Sequence, residues 1–179
     1  MLPRVINRLN KDLAALYDAA KAYKPEYVFS KTKEGFVLPI DDDVKYSVIA
    51  DVDSFLFEVR ACADLMQKFF GLLHAHTGKP IPEKKLGESF QAALQERRVS
   101  EGWFKMLAKA RNLAAHDGTP YVAIDISRSK KWAAIFTMEN LKSFEDPNKF
   151  FTISDLQEIA DGFRKAKIAL QDHLVELFR

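Results

Sequence analysis

The chain has one cysteine, Cys62, among its 179 residues. One thiol cannot close an intramolecular disulfide, and a four-cysteine zinc site is excluded with it. Glycine and proline are sparse, seven of each, so turns are few and long elements are expected. Charge of either sign is hardly in excess, since 27 Lys+Arg against 25 Asp+Glu leave a net +2. That balance lacks the electrostatic footprint of a dedicated duplex-DNA binder but leaves room for a local nucleic-acid site. No stretch of about 18 residues is free of charge, so no membrane span is expected. The N-terminus meets Arg4 before any apolar run of signal-peptide length, and the expected compartment is the reducing cytoplasm. What is present is 47% apolar and 29% charged, a composition that folds around a core. The length suits a single domain over residues 1–179.

Apolar residues at Val5, Ile6, Leu9, Leu13, Leu16, Tyr17, Ala20 and Tyr23 recur at helical spacing. They predict a helix over 3–23, stopped by Lys24-Pro25. Tyr27-Val28-Phe29 and Phe36-Val37-Leu38 are β-prone runs around Lys33-Glu34-Gly35, which fits a small hairpin or a single edge strand. The longest element is expected over 44–76. Val48, Val52, Phe55, Val59, Cys62, Met66, Phe69 and Leu73 form one stripe on it, and Ile49, Leu56, Ala63 and Phe70 form a second. A helix apolar on two sides is packed on two sides. It should run through the middle of a bundle, or between a bundle and a partner subunit.

A short helix is expected around 86–97 and another over about 100–116, with Ser100 as its cap and Gly118 as its left-handed end. Tyr121 to Ser127 and Lys131 to Thr137 flank Arg128-Ser129-Lys130 as a β-hairpin, with the strand near residue 37 available to join it. The last helix opens at Thr152 or Ser154, where Asp155 or Gln157 completes a capping box. It turns Leu156, Ile159, Phe163, Ala166, Leu170, Leu174 and Leu177 inward. The expected fold is mainly α: a four- to five-helix bundle with a small antiparallel β-hairpin or sheet appendage at approximately 26–40 and 120–138.

One segment carries chemistry: Lys109-Ala110-Arg111-Asn112-Leu113-Ala114-Ala115-His116-Asp117-Gly118. Trp103, Met106, Leu107, Ala110, Leu113 and Ala114 form its core stripe. At about 100° per residue, Arg111 and His116 stand roughly 140° apart, with Ala108 and Ala115 between them and Asn112 close by. A solvated helix face would carry Glu, Lys or Gln where this one has alanines. Small side chains let another helix approach closely, and a second copy across a two-fold axis is self-complementary. A homodimer through the Ala108/Asn112/Ala115 face would bring two Arg111 and two His116 into one cleft. A guanidinium forks onto phosphate oxygens, and an imidazole moves protons near neutrality. On RNA, His116 would deprotonate the 2′-hydroxyl or protonate the leaving 5′-oxygen, while Arg111 offsets charge building at phosphorus. This chemistry needs no metal and no cofactor. There is no His-Glu-x-x-His, and His74-Ala75-His76 sets its imidazoles about 200° apart on a helix.

Arg111-Asn112-Leu113-Ala114-Ala115-His116 resembles the R-x4–6-H motif of the HEPN superfamily (higher eukaryotes and prokaryotes nucleotide-binding), including the polar residue directly after the arginine. The organisation is similar too, with a long helix followed by the motif at the end of a later helix. The run from Arg111 to Ile126 is similar to HEPN-like bacterial proteins in which strands follow the motif helix. The resemblance covers roughly residues 44–118 plus the last helix. It implies a dimer whose paired motifs form a metal-independent endoribonuclease site, often in toxin–antitoxin or defence systems, with a cognate antitoxin as partner. In one toxin branch the motif continues to a tyrosine two places after the histidine. Gly118 stands there, so control by modification of that tyrosine is not implied.

Plainer readings stand beside these. Arg111 and His116 also suit an ordinary helix end, where cations meet the dipole and Asp117 could pair with either. Glu58 and Arg60, on the long helix near Asp51 and Ser54, could orient Arg111 or His116, but a simple ion pair is the favoured reading. Arg128, Lys130 and Lys131 could grip an RNA backbone with Trp132 stacking a base; the simpler reading is a solubilising turn. Cys62 reads as a small core residue, His173 as a surface residue and Arg97-Arg98 as a solvated helix end. The leading expectation is an endoribonuclease in which Arg111 contacts phosphate, His116 is the acid/base and Asn112 positions one of them. The alternative is a non-catalytic dimeric helical module that binds a nucleotide, an RNA or a protein partner.

Overall fold

Five α-helices and five strands make up the described part of the chain: α1 Leu2–Lys21, β1 Ser30–Thr32, β2 Gly35–Leu38, α2 Asp42–His76, α3 Leu86–Glu96, α4 Gly102–His116, β3 Tyr121–Asp125, β4 Ala133–Thr137, β5 Phe150–Thr152 and α5 Ile153–Leu177. The computed structural model describes residues 2–21, 30–32, 35–38, 42–116, 121–125, 133–137 and 146–179. The fold is mainly helical with an antiparallel sheet. It divides into two compact units, Met1–Phe57 with Ala108–Leu156, and Glu58–Leu107 with Gln157–Arg179.

In the first unit, Val5, Leu9 and Leu13 recur every four residues along α1, and all three are buried. Polar pairs fix α1 on α2: Arg8 forms an ion pair with Asp51, and the Ser47 hydroxyl donates to Asp12 Oδ2 at 2.6 Å. The sheet has strand order β1-β2-β3-β4-β5. Ser30 pairs with Val37 in the first hairpin, Val37 with Asp125 across to β3, and Tyr121 with Thr137 in the second hairpin. Both expected hairpins are therefore present and joined, although Tyr27 to Phe29 and the tip 126–132 lie outside the described residues.

β5 was not expected. It pairs Phe151 with Phe136, and their rings stack 5.0 Å apart at 17°. Along β4, Ala134 and Phe136 on one face and Ile135 and Thr137 on the other are all buried. Both faces of this strand are covered, within the small antiparallel β-element expected beside the helices. The run Phe150-Phe151-Thr152 carried the β-prone signal, but it sits directly against a helix cap. Thr152 Oγ1 accepts from the Asp155 N–H at 3.3 Å, and Asp155 Oδ2 accepts from the Thr152 N–H at 2.6 Å. This is the expected capping box, and it opens α5 at once.

The second unit packs the C-terminal half of α2 with α3, the start of α4 and most of α5. Both expected stripes of α2 are buried as far as Val59; beyond it only Ala63 and Phe70 of the second stripe stay buried. Phe69, from the first stripe, is exposed, and so are Leu65 and Leu72 beside it. Two-sided packing thus stops halfway, because α3 and α5 cover one side of this half. α4 and α5 cross closely at Gly162, where a β-carbon would land on the Trp103 side chain. α3 ends in a left-handed residue, Arg98 (φ 61°), with Val99 N–H bonded to Leu94 O at 3.0 Å and Arg98 N–H to Gln95 O at 2.8 Å. That is a Schellman end on a non-glycine residue. Arg97 is not solvated as expected: it turns onto Glu176 of α5 in an ion pair. α2 ends the same way at Gly78 (φ 76°), which bonds Lys79 N–H to His74 O at 2.9 Å. Among the described residues, no helix is long and apolar enough to cross a membrane.

Candidate functional site

α4 is unbroken from Gly102 to His116, so the whole segment Arg111 to His116 forms the last two turns of one helix. Ser100 Oγ accepts the Gly102 N–H at 3.1 Å at its other end. Trp103, Leu107 and Ala110 are buried, and Met106, Leu113 and Ala114 are half-buried. This is the expected core stripe. Away from it, Arg111 and Asn112 are exposed and Ala108 is half-buried. The side chains of Ala115 and His116 lie outside the described residues, as do Asp117, Gly118, Arg128, Lys130, Lys131 and Trp132.

At about 100° per residue, Lys105, Lys109, Asn112 and His116 fall within one narrow sector of α4. Lys109 heads the segment picked out from sequence but had no role there, although it lies seven residues before His116 on the same face. Its Nζ stands 6.0 Å from the Phe150 ring of β5, a cation–π distance. Lys105 pairs with Glu101 one turn earlier. Lys105 and Lys109 therefore precede residue 116 along one strip of the helix.

Glu58 and Arg60 are not an ion pair. Residues two apart on a helix face different ways, whereas four apart they meet. Arg60 Nε accordingly contacts Asp64 at 3.1 Å, and its guanidinium lies 4.9 Å from the Phe104 ring centroid on α4. Among the described residues, Glu58 makes no ion pair. Its expected neighbours are used structurally: Asp51 holds Arg8, and the Ser54 hydroxyl bonds back to Ala50 O at 2.8 Å.

No family model, no curated protein and no solved structure matches this chain. The site is therefore read from its own residues.

A second cluster joins α2 to α5. His173 is half-buried, not at the surface as expected, and its Nε2 lies 3.0 Å from His74 Nε2. The Phe70 ring packs 4.5 Å from His74 and 5.3 Å from His173. Burial is the main force that pushes both imidazoles below their ordinary pKa. Lys79 adds to it at His74, and Arg97 followed by His74 at His173, against the opposing pull of Glu96 and Glu176. A signal for His173 existed: Ala166, Leu170, His173 and Leu177 recur at steps of four, three and four along the inward side of α5. Asp51 shows the mirror effect, because burial raises its carboxyl above the usual range despite the Arg8 guanidinium. Among the described residues, no three of His, Cys, Asp and Glu converge as a metal site.

Proposed function

We propose that this chain is a HEPN-like, homodimeric, cytoplasmic endoribonuclease that works without a metal. The observation that carries this reading is the outer side of α4: Arg111 and Asn112 stand exposed on an unbroken helix whose other side carries the buried Trp103, Leu107 and Ala110. The two copies meet through Ala108, Asn112 and Ala115, and paired Arg111 and His116 side chains share one cleft. Strand scission then needs only these groups. His116 accepts the 2′-hydroxyl proton as that oxygen attacks phosphorus, and an imidazolium returns a proton to the departing 5′-oxygen. Arg111 holds the non-bridging oxygens, and Asn112 fixes one of the two side chains by a hydrogen bond. The products are a 2′,3′-cyclic phosphate and a 5′-hydroxyl. Lys109 lies on the His116 side and steers the backbone toward it. A nuclease of this kind harms its own host unless restrained, which fits a toxin or defence protein held by a cognate antitoxin.

Substitution tests the assignment. His116→Ala and Arg111→Ala should each abolish cleavage of total RNA, and Arg111→Ala, at an exposed position, should unfold within about 1 kcal/mol of the parent. Full cleavage by His116→Ala would remove the catalytic role. A second reading, a non-catalytic module binding a protein partner, is favoured by the exposed Leu65, Phe69 and Leu72 on α2. In the same assay such a module leaves RNA intact.

A further inference from the structure

The imidazole pair of His74 and His173 is built to hold protons in a particular number. The 5.3 Å between ring centroids exceeds the 3.0 Å nitrogen contact by two ring radii, and the rings are 23° from coplanar. The two Nε2 atoms therefore point straight at each other along the line joining the rings. A neutral imidazole has one N–H, so in a neutral pair one Nε2 donates and the other accepts. One added proton leaves this bond in place, now donated by an imidazolium. A second added proton sets two N–H groups head to head at the same 3.0 Å, with no acceptor between them. An ion does not replace the proton here. Bonds of about 2 Å on each side of a metal do not fit in line between these nitrogens.

We propose that His74 and His173 form an acid-sensitive latch between the C-terminal ends of α2 and α5, closed while the pair carries at most one extra proton and opened by the second. The surroundings sharpen the response. Lys79 follows α2, while Arg97 and Glu96 close α3. Glu176 lies on α5, one turn beyond His173, and pairs with Arg97. His76 faces Phe178 instead of the pair. Phe70, buried against both imidazoles and 5.6 Å from Phe90, is what the opening uncovers.

The sign follows from the depressed histidine pKa values. The unfolded chain binds protons more readily than the folded one below about pH 6.5. Stability from the pair is therefore complete above that value and is lost as pH falls below it. The experiment uses the full chain, labelled with 15N at histidine, between pH 7.5 and 4.5. Long-range proton–nitrogen spectra should show two rings of opposite tautomer at Nε2, both titrating below the ordinary histidine midpoint. Binding of an apolar dye should rise over the same interval. His173→Phe, which keeps a ring on Phe70, should lose the dye response and show a smaller fall in melting temperature between pH 6.5 and 5. Two ordinary, independent histidine titrations in the parent protein would overturn the latch. So would an unchanged pH response in His173→Phe, or a melting temperature raised by Zn2+ alone in the parent but not in the variant.

Discussion

At Asp51, burial and a guanidinium compete for one carboxyl group, and burial prevails. Its folded pKa lies above the unfolded value, so the folded chain keeps this proton longer. Asp51 therefore supports folding most at low pH, and that support is lost as pH rises through its folded pKa. Asp51→Asn retains an acceptor for Arg8 and removes the charge. Urea titrations should find this variant at least as stable as the parent at pH 7, with a smaller difference between pH 4 and pH 7. A marked loss at pH 7 would show that the Arg8 ion pair outweighs the cost of burial. Arg98 offers a second test, because a left-handed non-glycine residue costs about 1 kcal/mol. Arg98→Gly should raise stability by up to that amount, read as a higher melting temperature. At this scale, contacts local in sequence were legible, such as the Thr152–Asp155 box. Contacts distant in sequence were not: nothing near His74 announces His173, 99 residues on, and nothing near Arg97 announces Glu176.

Among the elements, α4 and α5 show how one missing side chain sets a helix crossing. Gly162 leaves room for Trp103, and filling that room forces the two helices apart. Gly162→Ala should destabilise by about 2 kcal/mol, the usual scale of overpacking, as thermal unfolding would record. The outer side of α4 is tested differently. Asn112 is exposed, so Asn112→Glu should barely change the stability of the single chain. Across a two-fold axis it sets like charges against each other. If the proposed dimer forms through this face, the mass in solution should fall from dimer to monomer and the proposed RNA cleavage should vanish with it; a variant that stays dimeric would place the contact elsewhere. Helices were legible here because a 3.6-residue period survives in one dimension. β5 was not, because a three-residue strand has meaning only beside the β4 it pairs with.

Across the molecule, α2, α4 and α5 each begin in one compact unit and end in the other. Periodicity finds the helices without revealing that division, which depends on which faces meet. The same limit applied to α2, whose two apolar stripes looked alike in sequence although Phe69 of the first is left exposed, with Leu65 and Leu72 outside both stripes beside it. The motif at the end of α4 was legible as spacing, and the structure adds that its flanking faces separate into buried and exposed sides. The central claim is that Arg111 and His116 cut RNA by internal attack of the 2′-hydroxyl. Its most direct test is the chemical identity of the fragment ends made by the purified protein from total RNA in EDTA. The account predicts 2′,3′-cyclic phosphates facing 5′-hydroxyls, absent with His116→Ala. Intact RNA, or fragments ending in 3′-hydroxyl and 5′-phosphate, would contradict it.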